Sequence, residues 1–354
     1  MPIDVDGLLR PVSDATPCGE ELRYDRRYLE VMRLAEGKPE QQMGDTIVPG
    51  EEPNWREVYD GCLELFARSK DLRVAMLLCL ANLRLEGYPG LRDGLRIVKG
   101  LVETYWDGLF PILDPDDGND PTERMNIIAS LAVPPGSFGD PMKFQDRTRE
   151  AAIVQHRQLG RVGLRELLIV AGELPASTDA SAPKLDSSAI EAVFEEVETP
   201  ELESVAKTID ECAELVKGLE DTLTAKVGAG KAIDLSSFRS LPVDAAKAVR
   251  KRLAKRGVGG PAGAIDEATG MPGGGGGGPR LAGEIYSSSD VREALDKIVR
   301  YYELREPSSP VALVMQCAHQ LVDKSFLEIV RVLTPDAIQV LERIKTPPEQ
   351  GQSS

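Results

Sequence analysis

A mainly all-α fold is what this 354-residue sequence predicts, on three observations. Apolar residues return at three- and four-residue steps in one segment after another, which places them on one side of a 3.6-residue helix. Helix-start chemistry precedes those stripes: Asn54 and Asp71 are capping side chains, and Thr199-Pro200, Ser309-Pro310 and Thr334-Pro335 each put a proline where a first turn accepts it. Extended structure is expected only as one short pair, residues 142–144 with 152–154.

Residues 1–172 read as a helical N-terminal domain. Leu8, Leu9 and Val12 lie near its start, and a turn at residues 17–25 leads into a helix through Tyr28, Val31, Met32 and Ala35. Residues 38–53 hold several Gly and Pro and read as a mobile loop. Behind Asn54, the residues Trp55, Val58, Tyr59, Cys62, Leu65 and Phe66 form a core stripe. Behind Asp71, residues 74–81 are apolar nearly all round, which marks a centrally buried helix. Residues 87–90 stop it, and a further helix carries Leu91, Leu95, Val98, Leu101, Val102 and Tyr105. Asp120-Pro121-Thr122-Glu123 reads as a capping box ahead of Ile127, Ile128 and Leu131, and residues 164–171 close the domain.

Residues 173–256 form a middle helical region. Leu202, Val205, Ile209, Cys212, Val216, Leu219 and Leu223 alternate steps of three and four, a rhythm that an intramolecular hairpin and a true coiled coil both satisfy. Phe238, Leu241, Val243, Ala246, Val249 and Leu253 supply the hairpin's second helix. Residues 257–283 contain an unbroken glycine run at 273–278 and read as a flexible linker, because no local packing offsets the entropy of fixing it.

Residues 284–345 read as a small C-terminal module of about four short helices, a size at which a lone core is marginal. It carries more apolar surface than it can bury. Two readings stay open, a self-contained bundle packed on the rest of the chain and a self-association module whose interface candidates are Ile298, Tyr301, Tyr302, Val314, Leu321, Phe326, Ile329, Val330 and Leu333. Residues 346–354 read as a disordered tail.

Composition excludes several classes of partner. The net charge of −16 repels nucleic-acid backbones and anionic membrane surfaces, so neither is expected. The first residues lack a secretory signal pattern, and no run of about 18 apolar residues is present to span a bilayer. The five cysteines are scattered, odd in number and never in a Cys-x-x-Cys arrangement, which reads as reduced thiols in a cytoplasmic protein.

No catalytic, cofactor-binding or metal-binding residue is expected. The carboxylate cluster at residues 114–120 is the one basis for an alternative, a metal-dependent hydrolase, but its spacing fails as a calcium loop because Met125 stands where a bidentate Glu is needed. His156 and His319 fall in different domains, and the glycine run lacks the Gly-Lys-Ser/Thr ending of a phosphate loop. Lys247, Arg250, Lys251, Arg252, Lys255 and Arg256 form a basic run without interleaved aromatics, which reads as a solvated helix face or a dock for an acidic surface. Trp106 reads first as a core residue; beside the acidic loop, it and Asp107 can also shape a protein-docking surface.

Several motifs together resemble one family. Pro17-Cys18-Gly19-Glu20 with Leu22 and Tyr24-Asp25, Trp55 with Val58, Ser69-Lys70-Asp71-Leu72-Arg73, Tyr105-Trp106-Asp107 with Pro111, and Arg124 with Asn126 follow in order. Arg292, Ala294-Leu295, Tyr301-Tyr302, Glu306-Pro307-Ser308-Ser309-Pro310, Ala318 and Phe326-Leu327-Glu328-Ile329 complete the set. They resemble the TssA (ImpA-related) proteins of bacterial type VI secretion. The resemblance implies a non-enzymatic assembly protein: a homo-oligomeric ring built by the C-terminal module, with baseplate, contractile sheath and tail-tube proteins as partners. It also makes Trp106, Asp107 and Arg124 candidates for partner docking.

Overall fold

The computed structural model describes residues 3–37, 41–43, 46–48, 50–137, 140–175, 186–258, 288–305 and 311–322, in two compact units, Met1–Thr269 and Gly270–Ser354. Short polar side chains start the first helices of the larger unit. Asp4 accepts from the Gly7 amide at α1 (Val5–Leu8), and Asp25 accepts from Arg27 and Tyr28 amides at α2 (Arg26–Glu36). Asn54 does the same for α3 (Trp55–Phe66), and Asp71 for α4 (Leu72–Glu86). Gly87, at φ 67°, ends α4 and opens α5 (Tyr88–Tyr105), with Pro89 in the first turn.

The all-round apolar helix takes the central position that its composition demands. Leu72 and residues 74–83 of α4 are buried, between α3 on one side and α5 on the other. Small residues set how closely α5 approaches: a Cβ on Gly94 would stand 2.6 Å from the Cα of Cys79, so only glycine fits that crossing.

After α6 (Thr122–Ala129) and α7 (Phe144–Glu150), an antiparallel pair, β3 (Ala152–His156) and β4 (Gly160–Gly163), leads to α8 (Leu164–Val170). Then come α9 (Ser187–Glu196), α10 (Thr199–Val227) and α11 (Ser236–Lys255). The heptad-like seam of α10 is closed inside the chain. Leu202, Ile209, Cys212, Val216, Leu219 and Leu223 are buried, and α10 packs on both α11 and α5. The core is thus continuous across residue 172, where the composition shifts.

Three local expectations need correction. Residues 41–48 contain a short antiparallel pair, β1 (Gln41–Met43) with β2 (Thr46–Val48), inside the stretch read as loop. Residues 144–150 are helical, and β3 pairs with β4 instead of with residues 142–144. The capping box does not form: α6 starts at Thr122 behind Pro121, and Glu123 turns away to accept from Arg23 at 2.9 Å. An ion pair with a nearby guanidinium outcompeted the local backbone bond. The basic run is in the main the solvated helix face expected, with Lys247, Arg250, Lys251 and Lys255 exposed. Arg250 pairs with Asp210 and Lys255 with Glu191 at the surface, while the half-buried Arg252 also holds Glu191 and Arg256 donates to the carbonyls of Val197 and Phe194.

In the second unit, α12 (Ser288–Arg305) packs on α13 (Val311–Leu321). Ala294 is the buried hydrophobic residue among those described there; Ile298, Tyr302 and Leu321 are half-buried, and Tyr301 and Val314 are 53% and 58% exposed. The rings of Tyr301 and Tyr302 meet edge to face at 5.3 Å. Phe326, Ile329, Val330 and Leu333, with the third and fourth expected helices, lie outside the described residues, as does nearly all of the glycine-rich stretch.

Candidate functional site

The strongest candidate is the segment that leaves the C-terminal end of α5. Trp106 ends the helix, the amides of Gly108 and Leu109 bond back to the Tyr105 carbonyl, and the chain then meets the start of α4. There the Phe110 amide donates to the Lys70 carbonyl at 3.0 Å and the Leu72 amide to the Phe110 carbonyl at 2.8 Å. Lys70 is itself buried, and its Nζ donates to the Leu8 carbonyl, while the Tyr105 hydroxyl donates to Leu9. The two motifs around Ser69–Asp71 and Trp106–Pro111 therefore tie α1, α4 and α5 together at one end.

Arg124 from α6 fixes this segment. It is 1% exposed; its Nε donates to the Pro111 carbonyl at 2.8 Å, and its two terminal nitrogens donate to the carbonyls of Trp106 and Leu109. Its guanidinium lies 4.7 Å from the centre of the Trp106 ring. Burial pushes its pKa down to about 10, against the opposing pull of Asp107. Three carbonyls at a helix end with no further turn to accept from are thus satisfied by one planar fork.

Of the three docking candidates, only Asp107 is exposed. Trp106 and Arg124 are buried, and they shape the backbone on which a surface stands. That surface includes a residue the sequence did not single out, Ile112, which is 50% exposed. Asp107 and Ile112 line two clefts. One, of about 630 Å³, also takes in Trp106, Leu113 and Lys231; the other, of about 360 Å³, takes in Cys18, Tyr105 and Phe110. No periodicity flags Ile112, because it follows the helix instead of belonging to it.

The acidic loop beside it is organised by its own backbone. Asp114 accepts from the Asp116 amide, and Gly118 and Asn119 take left-handed conformations. Asp120 is held below the usual carboxylate range by Thr122 and by Lys231, which reaches it from the α10–α11 connection at 3.2 Å. Among the described residues no three His, Cys, Asp or Glu side chains converge as metal ligands. His156 accepts from the Gln158 and Leu159 amides in the β3–β4 turn, and His319 stands 3.4 Å from Asp296 in the other unit. Cys62, Cys79 and Cys212 are buried thiols whose pKa burial raises, that of Cys79 to about 12. No described helix is long and apolar enough to cross a membrane.

Comparison with known proteins places this architecture. Residues 9–133, which contain the whole Lys70–Trp106–Arg124 arrangement, match the family described as "ImpA, N-terminal, type VI secretion system". A solved N-terminal domain, including the conserved ImpA_N region, of the TssA component from Burkholderia cenocepacia has the same fold. Its TM-score is 0.58 at 20% identity, over 73% of this chain and 96% of that one. The class these matches define is a mainly helical protein with an ImpA-type N-terminal region. The chain is also 36% identical to the type VI secretion system component TssA1 of Pseudomonas aeruginosa, over 98% of this chain and 99% of that protein. It belongs to the TssA family.

Proposed function

We propose that this chain is a non-enzymatic assembly protein of a type VI secretion system, working in the cytoplasm. Copies join through the C-terminal helices into a ring, and each copy presents its N-terminal unit to baseplate, sheath and tail-tube proteins. The observation that carries this reading is the uncovered apolar surface of α12 and α13, where Tyr301 and Val314 remain more than half exposed. A tethered array would then turn individually weak contacts into avidity.

Docking is assigned to the surface around Asp107 and Ile112, which Arg124 and Trp106 hold from behind. Co-purification with the baseplate, sheath and tail-tube subunits of the same system tests this. Ile112→Asp, at an exposed position, is expected to abolish capture of at least one subunit and leave the fold intact. Unchanged capture of all of them would remove this surface from the proposal.

A further inference from the structure

Two buried arginines stack on tryptophans in this molecule, and they differ in what their donors meet. Arg124 gives each of its nitrogens to a backbone carbonyl. Arg147 of α7 is 8% exposed, and its guanidinium lies 4.5 Å from the centre of the Trp55 ring. Its Nη1 donates to the Met142 carbonyl at 2.8 Å, which is its one hydrogen bond among the described residues, and no described carboxylate pairs with it. Glu52, Glu150 and Asp140 act on its charge from beyond ion-pair distance, and the guanidinium edge not bonded to Met142 is not buried but opens on a cleft.

The surroundings point to what that edge can meet. Arg147 lines a cleft of about 490 Å³ together with Lys143, Arg149 and Arg165. The carboxylates of this cleft are already engaged: Arg84 bridges Glu52 at 2.8 Å and Glu150 at 3.2 Å, Arg165 takes the other oxygen of Glu150, and Arg149 holds Asp146. Four cations and three carboxylates line the cleft, a small positive excess on a chain whose net charge is −16. We propose that this cleft binds an acidic segment of a partner protein, with one carboxylate seated on the free edge of the Arg147 guanidinium. A carboxylate meets the planar fork of a guanidinium with two parallel hydrogen bonds, and the neighbouring cations of the cleft can take further carboxylates of the same segment.

The test uses the full-length protein and a fluorescently labelled hexaglutamate peptide, read by anisotropy and by intrinsic tryptophan emission, since Trp55 lies under the bound group. Saturable binding at low salt is expected, with a change in emission. Lys143→Gln and Arg165→Gln, on the rim, should each weaken binding by about two- to fivefold. Arg147→Met should weaken it by about tenfold or more and remove the emission change. If that variant does not fold, the two rim variants decide. Absence of saturable binding, binding unaffected by both rim variants, or inorganic phosphate binding more tightly than hexaglutamate would each overturn the proposal.

Discussion

The larger unit covers most of its apolar stripes with its own helices, leaving single residues such as Tyr24 and Leu29 exposed, whereas the C-terminal pair leaves a larger share of its stripe to solvent. In α4 the residues from Val74 to Leu83 are buried without a break, because α3 and α5 flank the helix and α10 packs on the far partner. On α12 and α13 the same three-and-four spacing yields one buried hydrophobic among the described residues, Ala294, while Tyr301 and Val314 face outward. Equal periodicity therefore carries different information in the two places. Burying a side chain of this size is worth about 1.5–3 kcal/mol. The larger unit already has that stabilisation, and under the proposed assembly the pair would gain it from another copy.

Substitutions should separate the two regions sharply. The largest loss is expected from Arg124→Ala, which leaves the carbonyls of Trp106, Leu109 and Pro111 without their donor; about 3 kcal/mol or more should disappear in denaturant melts. Gly94→Ala forces a Cβ against the Cys79 backbone and should cost about 1–3 kcal/mol by the same assay. A smaller effect belongs to Asp25, which Arg68 holds below its ordinary pKa of 3.8, against desolvation and with help from the Arg27 and Tyr28 amides. Its contribution is present above the unfolded value and fades as pH falls through the lowered one, so acid melts of Asp25→Asn should lack that portion of the slope. The smallest change in stability belongs to the open pair: Val314→Asp, at an exposed position, should shift the melt by no more than about 0.5 kcal/mol at dilutions where the parent is itself a single chain.

Much of this contrast was legible in the sequence, and the unread part has a common cause. The caps at Asn54 and Asp71, the buried run of α4 and the stripe of α10 follow from residue type and spacing within one segment. The Arg124 fork does not, because it joins carbonyls 13 to 18 residues away, and a charged residue at 1% exposure inverts the usual expectation for arginine. Arg147 was hidden for the same reason, inside a stretch whose helix is only 7 residues long. The capping box at Asp120 failed because Glu123 had a partner 100 residues away, which no local pattern registers. Ile112 lies in a non-repeating segment, where exposure is set by the fold alone.

Sedimentation velocity of the full-length protein and of its Val314→Asp variant, at matched micromolar concentration, tests the central claim most directly. The account predicts that the native chain sediments as a defined multiple of its own mass and that the variant, equally well folded, sediments as a single chain. A native protein that remains monomeric, or a variant that assembles as well as its parent, would contradict it.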